Sequence, residues 1–143
     1  MASTRPHAAG RHPTSAATLW SAVAIDVVLV VAFAAIGRAT HHDGVLGESG
    51  LGLATTAWPF LAALAAGWLT SRGWRAPTAP LRTGVPLWLV TVVGGMLLRA
   101  VSGQGTAVPF IVVATLTLLL LVGWRAIAAT VRTARVAATA RRR

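Results

Sequence analysis

Four stretches of apolar sequence, each almost free of charge, constrain this chain more than any other feature. They run from about Thr18 to Gly37, Thr55 to Thr70, Gly84 to Ser102 and Thr106 to Trp124. At about 1.5 Å per helical residue, each of them with its flanks is long enough to cross a hydrocarbon core of about 30 Å. A backbone in lipid finds no water to bond, and a lone segment satisfies its own N–H and C=O groups only as a helix. The expected fold class is therefore all-α, with four transmembrane helices over about 18–37, 55–70, 84–102 and 106–124. Composition argues against hiding these runs in a soluble core. Charged residues are 11% of the chain, where a soluble domain carries about 25%.

The arginines set the threading. All 13 basic residues are Arg, against three carboxylates, Asp26, Asp43 and Glu48. Arg5 and Arg11 precede the first span, Arg72, Arg75 and Arg82 separate the second from the third, and Arg125, Arg132, Arg135, Arg141, Arg142 and Arg143 follow the fourth. The opposite face receives only Arg38 and Arg99. Basic residues accumulate on the cytoplasmic side, so a plasma-membrane protein with both termini in the cytoplasm is expected. The same alternation removes nucleic acid as the meaning of the net charge of +10, because a phosphate-binding surface gathers its charge on one folded face. Residues 1–17 read as a disordered basic tail. Residues 125–143 read as a basic cytoplasmic tail, a helix extending the fourth span and drawn to anionic lipid. The first span has a basic lead-in and an Ala32-Phe33-Ala34-Ala35 end, as a signal peptide does. Its apolar run exceeds the 7–15 residues of a signal core and Asp26 interrupts it, which favours a retained anchor. Absence of Cys excludes disulfides and thiolate metal sites.

The halves of the chain resemble each other. Thr56-Ala57-Trp58-Pro59-Phe60 falls on Thr106-Ala107-Val108-Pro109-Phe110, and Gly73-Trp74-Arg75-Ala76 on Gly123-Trp124-Arg125-Ala126, both at an offset of 50. Arg38-Ala39 and Arg99-Ala100 match at 61, the difference being extra length in the first outer loop. The expectation is two tandem helical hairpins related by a parallel internal repeat, with a pseudo-two-fold axis along the membrane normal. Pro59 and Pro109 then sit in first helical turns, where the missing N–H is unpaired anyway. Trp58 suits the outer aromatic belt, and Trp20, Trp74 and Trp124 the inner one. Ala63 with Gly67, and Gly94-Gly95, permit close helix contact.

Asp26 is the most informative single residue. It lies about eight residues, or roughly 12 Å, into the first span, where an acidic group costs about 2.5–3.5 kcal/mol on insertion scales. It must be protonated, paired, or facing an aqueous cavity. The repeat places it at the depth of Leu87. Arg82 is then within reach on the cytoplasmic side, and Thr91 and the Trp88 indole lie nearby as hydrogen-bond partners. Two readings stay open here, a structural Asp26 tied to Arg82 or Thr91 and a proton or cation site. At the outer face Arg38 and Arg99 end their helices beside the linker Ser102, Gly103, Gln104, Gly105 and Thr106. The second and fourth helices begin there, with their partial positive ends outward. Arg38, Arg99, Ser102, Gln104 and Thr106, the last a candidate N-cap, compose a candidate anion-attracting mouth. The alternative is arginines that snorkel to the interface or pair with Asp43 or Glu48. His41-His42-Asp43 lacks the spacing of a metal site, and no metal or cofactor is expected.

Gly37-Arg38, Thr56-Ala57-Trp58-Pro59-Phe60, Gly67-Trp68 and Met96-Leu97-Leu98-Arg99 with Ser102-Gly103-Gln104-Gly105-Thr106-Ala107 resemble the small prokaryotic membrane proteins catalogued as domain of unknown function 3054. The resemblance covers about Asp26 to Trp124, and implies fold and location without adding chemistry. No phosphate loop, nucleophile elbow or metalloprotease motif occurs, so no enzyme is expected. What remains is a small transport or permeation unit for an ion or small polar solute. The alternative is a non-transporting accessory or structural membrane protein that packs against a partner or itself. Four helices bury little lateral surface, which leaves room for a homo-oligomer.

Overall fold

The computed structural model describes residues 15–39, 45–47, 51–106 and 108–142. Its helices are α1 (Ala16–Ala39), α2 (Gly52–Thr70), α3 (Val85–Val101), α4 (Val108–Leu118) and α5 (Leu120–Ala140). A single 3-10 turn at Gly73–Arg75 and a π-helical turn at Pro80–Gly84 lie between α2 and α3. Leu119 keeps helical angles between α4 and α5, so the two run on as one rod. Four helices are long and apolar enough to cross a membrane: Ala16–Ala39, Gly52–Thr70, Pro80–Val101 and Phe110–Ala140. That is the composition of a multi-pass membrane protein. The proposed tail over residues 1–17 falls mostly outside the described residues, as do Arg5, Arg11, His41, His42, Asp43 and Glu48.

The helices form a ring in which neighbours run antiparallel. α2 lies against α1 and α3, and the α4–α5 rod closes the ring against α1 and α3. Side-chain contacts fix the directions. Phe33 meets Phe60 and Phe110, while Asp26, earlier on α1, meets Trp68 and Trp124, which come later on their own helices. The α2–α3 contact is the closest because small residues face each other. A Cβ on Gly94 would come within 3.0 Å of the Ala63 Cβ, and one on Gly95 would enter the Phe60 ring.

Each helix turns one stripe inward. Ala22, Asp26, Val30 and Phe33 on α1, Leu87, Thr91, Gly95 and Arg99 on α3, and Ala114, Leu118, Leu121 and Arg125 on the rod recur at the three- and four-residue spacing of a helical face. The outward faces are apolar too: Val28 is 63% exposed and Leu116 64%. A helix apolar on all sides, with large side chains left outside, is suited to lipid rather than water.

One expectation needs correction. Pro59 lies well inside α2 and not in its first turn, because the helix begins at Gly52. The Pro59 ring therefore leaves the Thr55 carbonyl without its usual donor.

Candidate functional site

Asp26 is fully buried, and four donors surround its two carboxylate oxygens. Arg125 Nη1 donates to Oδ1 at 2.8 Å and Nη2 to Oδ2 at 2.7 Å, a fork-to-fork pair in which both side chains are 0% exposed. The Trp124 indole adds a bond to Oδ1 at 3.0 Å and the Trp68 indole one to Oδ2 at 3.1 Å. Planar guanidinium and carboxylate match in two parallel bonds, the strongest geometry open to such a pair. Arg125 is held equally well. Its Nε donates to the Pro77 carbonyl at 2.9 Å and its Nη1 also to the Leu121 carbonyl at 2.7 Å. Its guanidinium carbon stands 4.5 Å from the Trp124 ring centre and 5.8 Å from that of Trp68, within cation–π range. One cluster thus joins α1, α2, the α2–α3 connection and α5.

Local backbone features make room for it. In the π-helical turn the Ala79 carbonyl accepts from both Thr83 and Gly84 N–H, at 3.2 and 3.0 Å. Thr83 Oγ1 donates to the Ala76 carbonyl at 2.7 Å. Gly84 then abuts the arginine stem, where a Cβ would stand 3.1 Å from Arg125 Cδ and 3.4 Å from Val122 Cα. A side chain at this position would have to displace the arginine stem by a few tenths of an ångström for the rod to approach this closely.

The partner of Asp26 is Arg125, not the expected Arg82 or Thr91. Arg82 is exposed, pointing away from the core from which Arg125 reaches the carboxylate. Thr91 is buried but its hydroxyl has no hydrogen-bond partner among the described residues. The Trp88 indole donates to the Thr115 carbonyl at 3.1 Å, tying α3 to α4. Arg125 itself is no part of a solvated tail, and Trp124 faces the carboxylate rather than serving only as a belt residue. The signal that finds Arg125 is the helical stripe Ala114, Leu118, Leu121, Arg125, which puts it on the inward face.

At the other end the two arginines turn onto their own loops. Arg38 Nε donates to the Val45 carbonyl at 2.9 Å and its Nη1 to Thr56 Oγ1 at 3.3 Å. Arg99 Nη1 donates to Gln104 Oε1 and Nη2 to the Gln104 carbonyl, both at 3.0 Å. The Arg99 guanidinium carbon lies 4.2 Å from the Phe110 ring centre, and its Nε is buried with no hydrogen-bond partner among the described residues. Ser102 Oγ donates back to the Leu98 carbonyl at 2.7 Å, and Thr106 is exposed. The five residues therefore compose two loop-bound arginines, with Thr106 apart from them. Between the two ends stand Phe33, Phe60 and Phe110, with ring centres 5.1 to 6.2 Å apart, an apolar plug across the interior.

A family model described as a protein of unknown function (DUF3054) matches residues 23–128. The chain belongs to this family. The DUF3054 match runs from Val23, within the first span, through Ala128 on the fourth, and holds both Asp26 and Arg125 with the two indoles that serve them. Most of the arginine-rich end of α5 lies outside it. No curated protein and no solved structure matches the chain.

Proposed function

We propose that this DUF3054 member is a non-transporting accessory protein of the plasma membrane. In this reading its four spans form two tandem hairpins, with both termini in the cytoplasm, packing against a second copy or a larger partner and performing no catalysis. One observation carries the proposal: the Asp26 carboxylate is wholly buried and both its oxygens are saturated by fixed donors. A coupling carboxylate in a transporter must exchange a proton or a cation with water. Here the positions such a ligand would take are filled by Arg125, Trp68 and Trp124. A buried ion pair adds little net stability over an apolar pair, yet breaking it costs about 3–5 kcal/mol. Its use is to fix which helix faces which. The arginine bias supports the orientation, and the matched Pro-Phe and Gly-Trp-Arg segments support the repeat.

A second reading, a closed permeation unit, draws on a different observation. The Thr91 hydroxyl and Arg99 Nε are both buried on the inward stripe of α3 without partners among the described residues, and would line a polar path if the phenylalanines parted. Proteoliposomes under a potassium diffusion potential, carrying an internal pH dye and a chloride probe, separate the two. The accessory reading expects no flux above empty vesicles from the wild type, and Asp26→Asn lowering thermal stability only. Flux by the wild type that disappears in a folded Asp26→Asn protein would establish the permeation unit instead. Activity of a C-terminal reporter on the outer side would overturn the orientation.

A further inference from the structure

An apolar groove of about 750 Å³ runs between α1 and α2 on the outside of the bundle. Leu19, Trp20, Val23, Trp68, Leu69 and Trp74 are among its walls. Trp20 and Leu69 stand 68% and 67% exposed, and Trp74 44%. Its inner wall is the Trp68 ring, whose indole N–H holds Asp26. The groove ends at the turn after α2, where Trp74 is flanked by the exposed Arg72 and Arg75. Among the described residues the only carboxylate is Asp26, already committed to Arg125, so neither exposed arginine has an acidic partner there.

An apolar slot, a tryptophan rim and two unneutralised guanidinium groups at one end match one kind of molecule. We propose that this groove is a binding site for an anionic phospholipid, its acyl chain lying along Val23 and Trp68 and its phosphate between Arg72 and Arg75. Arginine pairs with phosphate through two parallel bonds, and indoles settle at headgroup depth. A second copy of this chain fits less well, since the symmetric copy would bring Arg72 and Arg75 of its own to the same rim without supplying an acid. The site rests on the membrane reading of the chain but not on the absence of transport.

The tryptophans that line the groove report its occupancy. Purified full-length protein in phosphatidylcholine vesicles is titrated with phosphatidylglycerol or phosphatidylcholine brominated in the acyl chains, with Trp20→Phe and Trp74→Phe variants assigning the quenched signal. The brominated phosphatidylglycerol is expected to quench with about thirtyfold preference, about fivefold for each of the two arginines beside the anionic headgroup. Arg72→Gln/Arg75→Gln removes the preference at unchanged thermal unfolding, and Ala65→Phe, which fills the groove, lowers quenching by both lipids. Equal quenching by the two lipids in the wild type overturns the proposal. So does disulfide cross-linking of a Val27→Cys variant, since the chain has no other Cys and Val27 lines the same groove; a second copy would then be its occupant. Vesicle flux is read separately, so failure here leaves the accessory reading untouched.

Discussion

Arg125 meets Asp26 across 99 residues of sequence and binds both of its carboxylate oxygens, at 2.8 and 2.7 Å. The contact joins the first span to the last and closes the ring of helices. Neither residue has any exposed side-chain surface. Removing one charge alone therefore strands the other.

Asp26→Ala and Arg125→Ala are each expected to destabilise the fold by about 3–5 kcal/mol. The double change Asp26→Leu/Arg125→Met should recover most of that loss, because an apolar pair of similar volume incurs no desolvation cost. Arg82→Gln should shift stability by no more than about 0.5 kcal/mol, as expected for an exposed side chain. Denaturant unfolding in detergent micelles measures all four.

Trp68→Phe and Trp124→Phe keep an aromatic ring in place while deleting one donor to the carboxylate. Hydrogen bonds to charged groups are worth about 1.5–3 kcal/mol, and that is the loss expected for each. The two together should not add, since both act on the same carboxylate. A double-mutant cycle on thermal unfolding reads the coupling.

Gly95→Ala and Gly123→Ala form a matched pair. A Cβ at Gly95 enters the Phe60 ring, whereas at Gly123 it meets nothing within 4 Å. Overpacking a tight contact costs about 1–3 kcal/mol, while Ala for Gly at an open helical position gains up to about 1 kcal/mol. Opposite signs in unfolding midpoint are the expected result.

Thr91→Val replaces a buried hydroxyl that has no partner among the described residues with a methyl group of similar size. Stability should hold or rise by about 1 kcal/mol. A clear fall in the unfolding midpoint would reveal a hydrogen bond made by this hydroxyl, and with it a wet interior.

The spans were legible in the sequence because lipid demands long apolar runs with few exceptions. Asp26 stood out for the same reason, as a charge in the wrong solvent. Its partner does not stand out in the same way, because the fourth apolar run ends at Trp124 and the arginines beyond it read as tail. The rod in fact continues to Ala140, and Arg125 sits on its inward stripe. The internal repeat sets Asp26 at the depth of Leu87 on the third span, where Arg82 and Thr91 lie. The ring instead closes between α1 and α5, a tertiary contact that no local spacing encodes. Arg38 and Arg99 lie in the last turns of α1 and α3. Their engagement by Val45, Thr56 and Gln104 depends on how each loop folds back, which composition does not specify.

The fork between Asp26 and Arg125 also makes its own part of the bundle interior electrically balanced. A lone charge carried across a membrane feels about 2.3 kcal/mol of work for each 100 mV of potential. These two cancel, so a shift of the pair as a unit does no net work against that voltage. Prising them apart would let the field act on each charge separately.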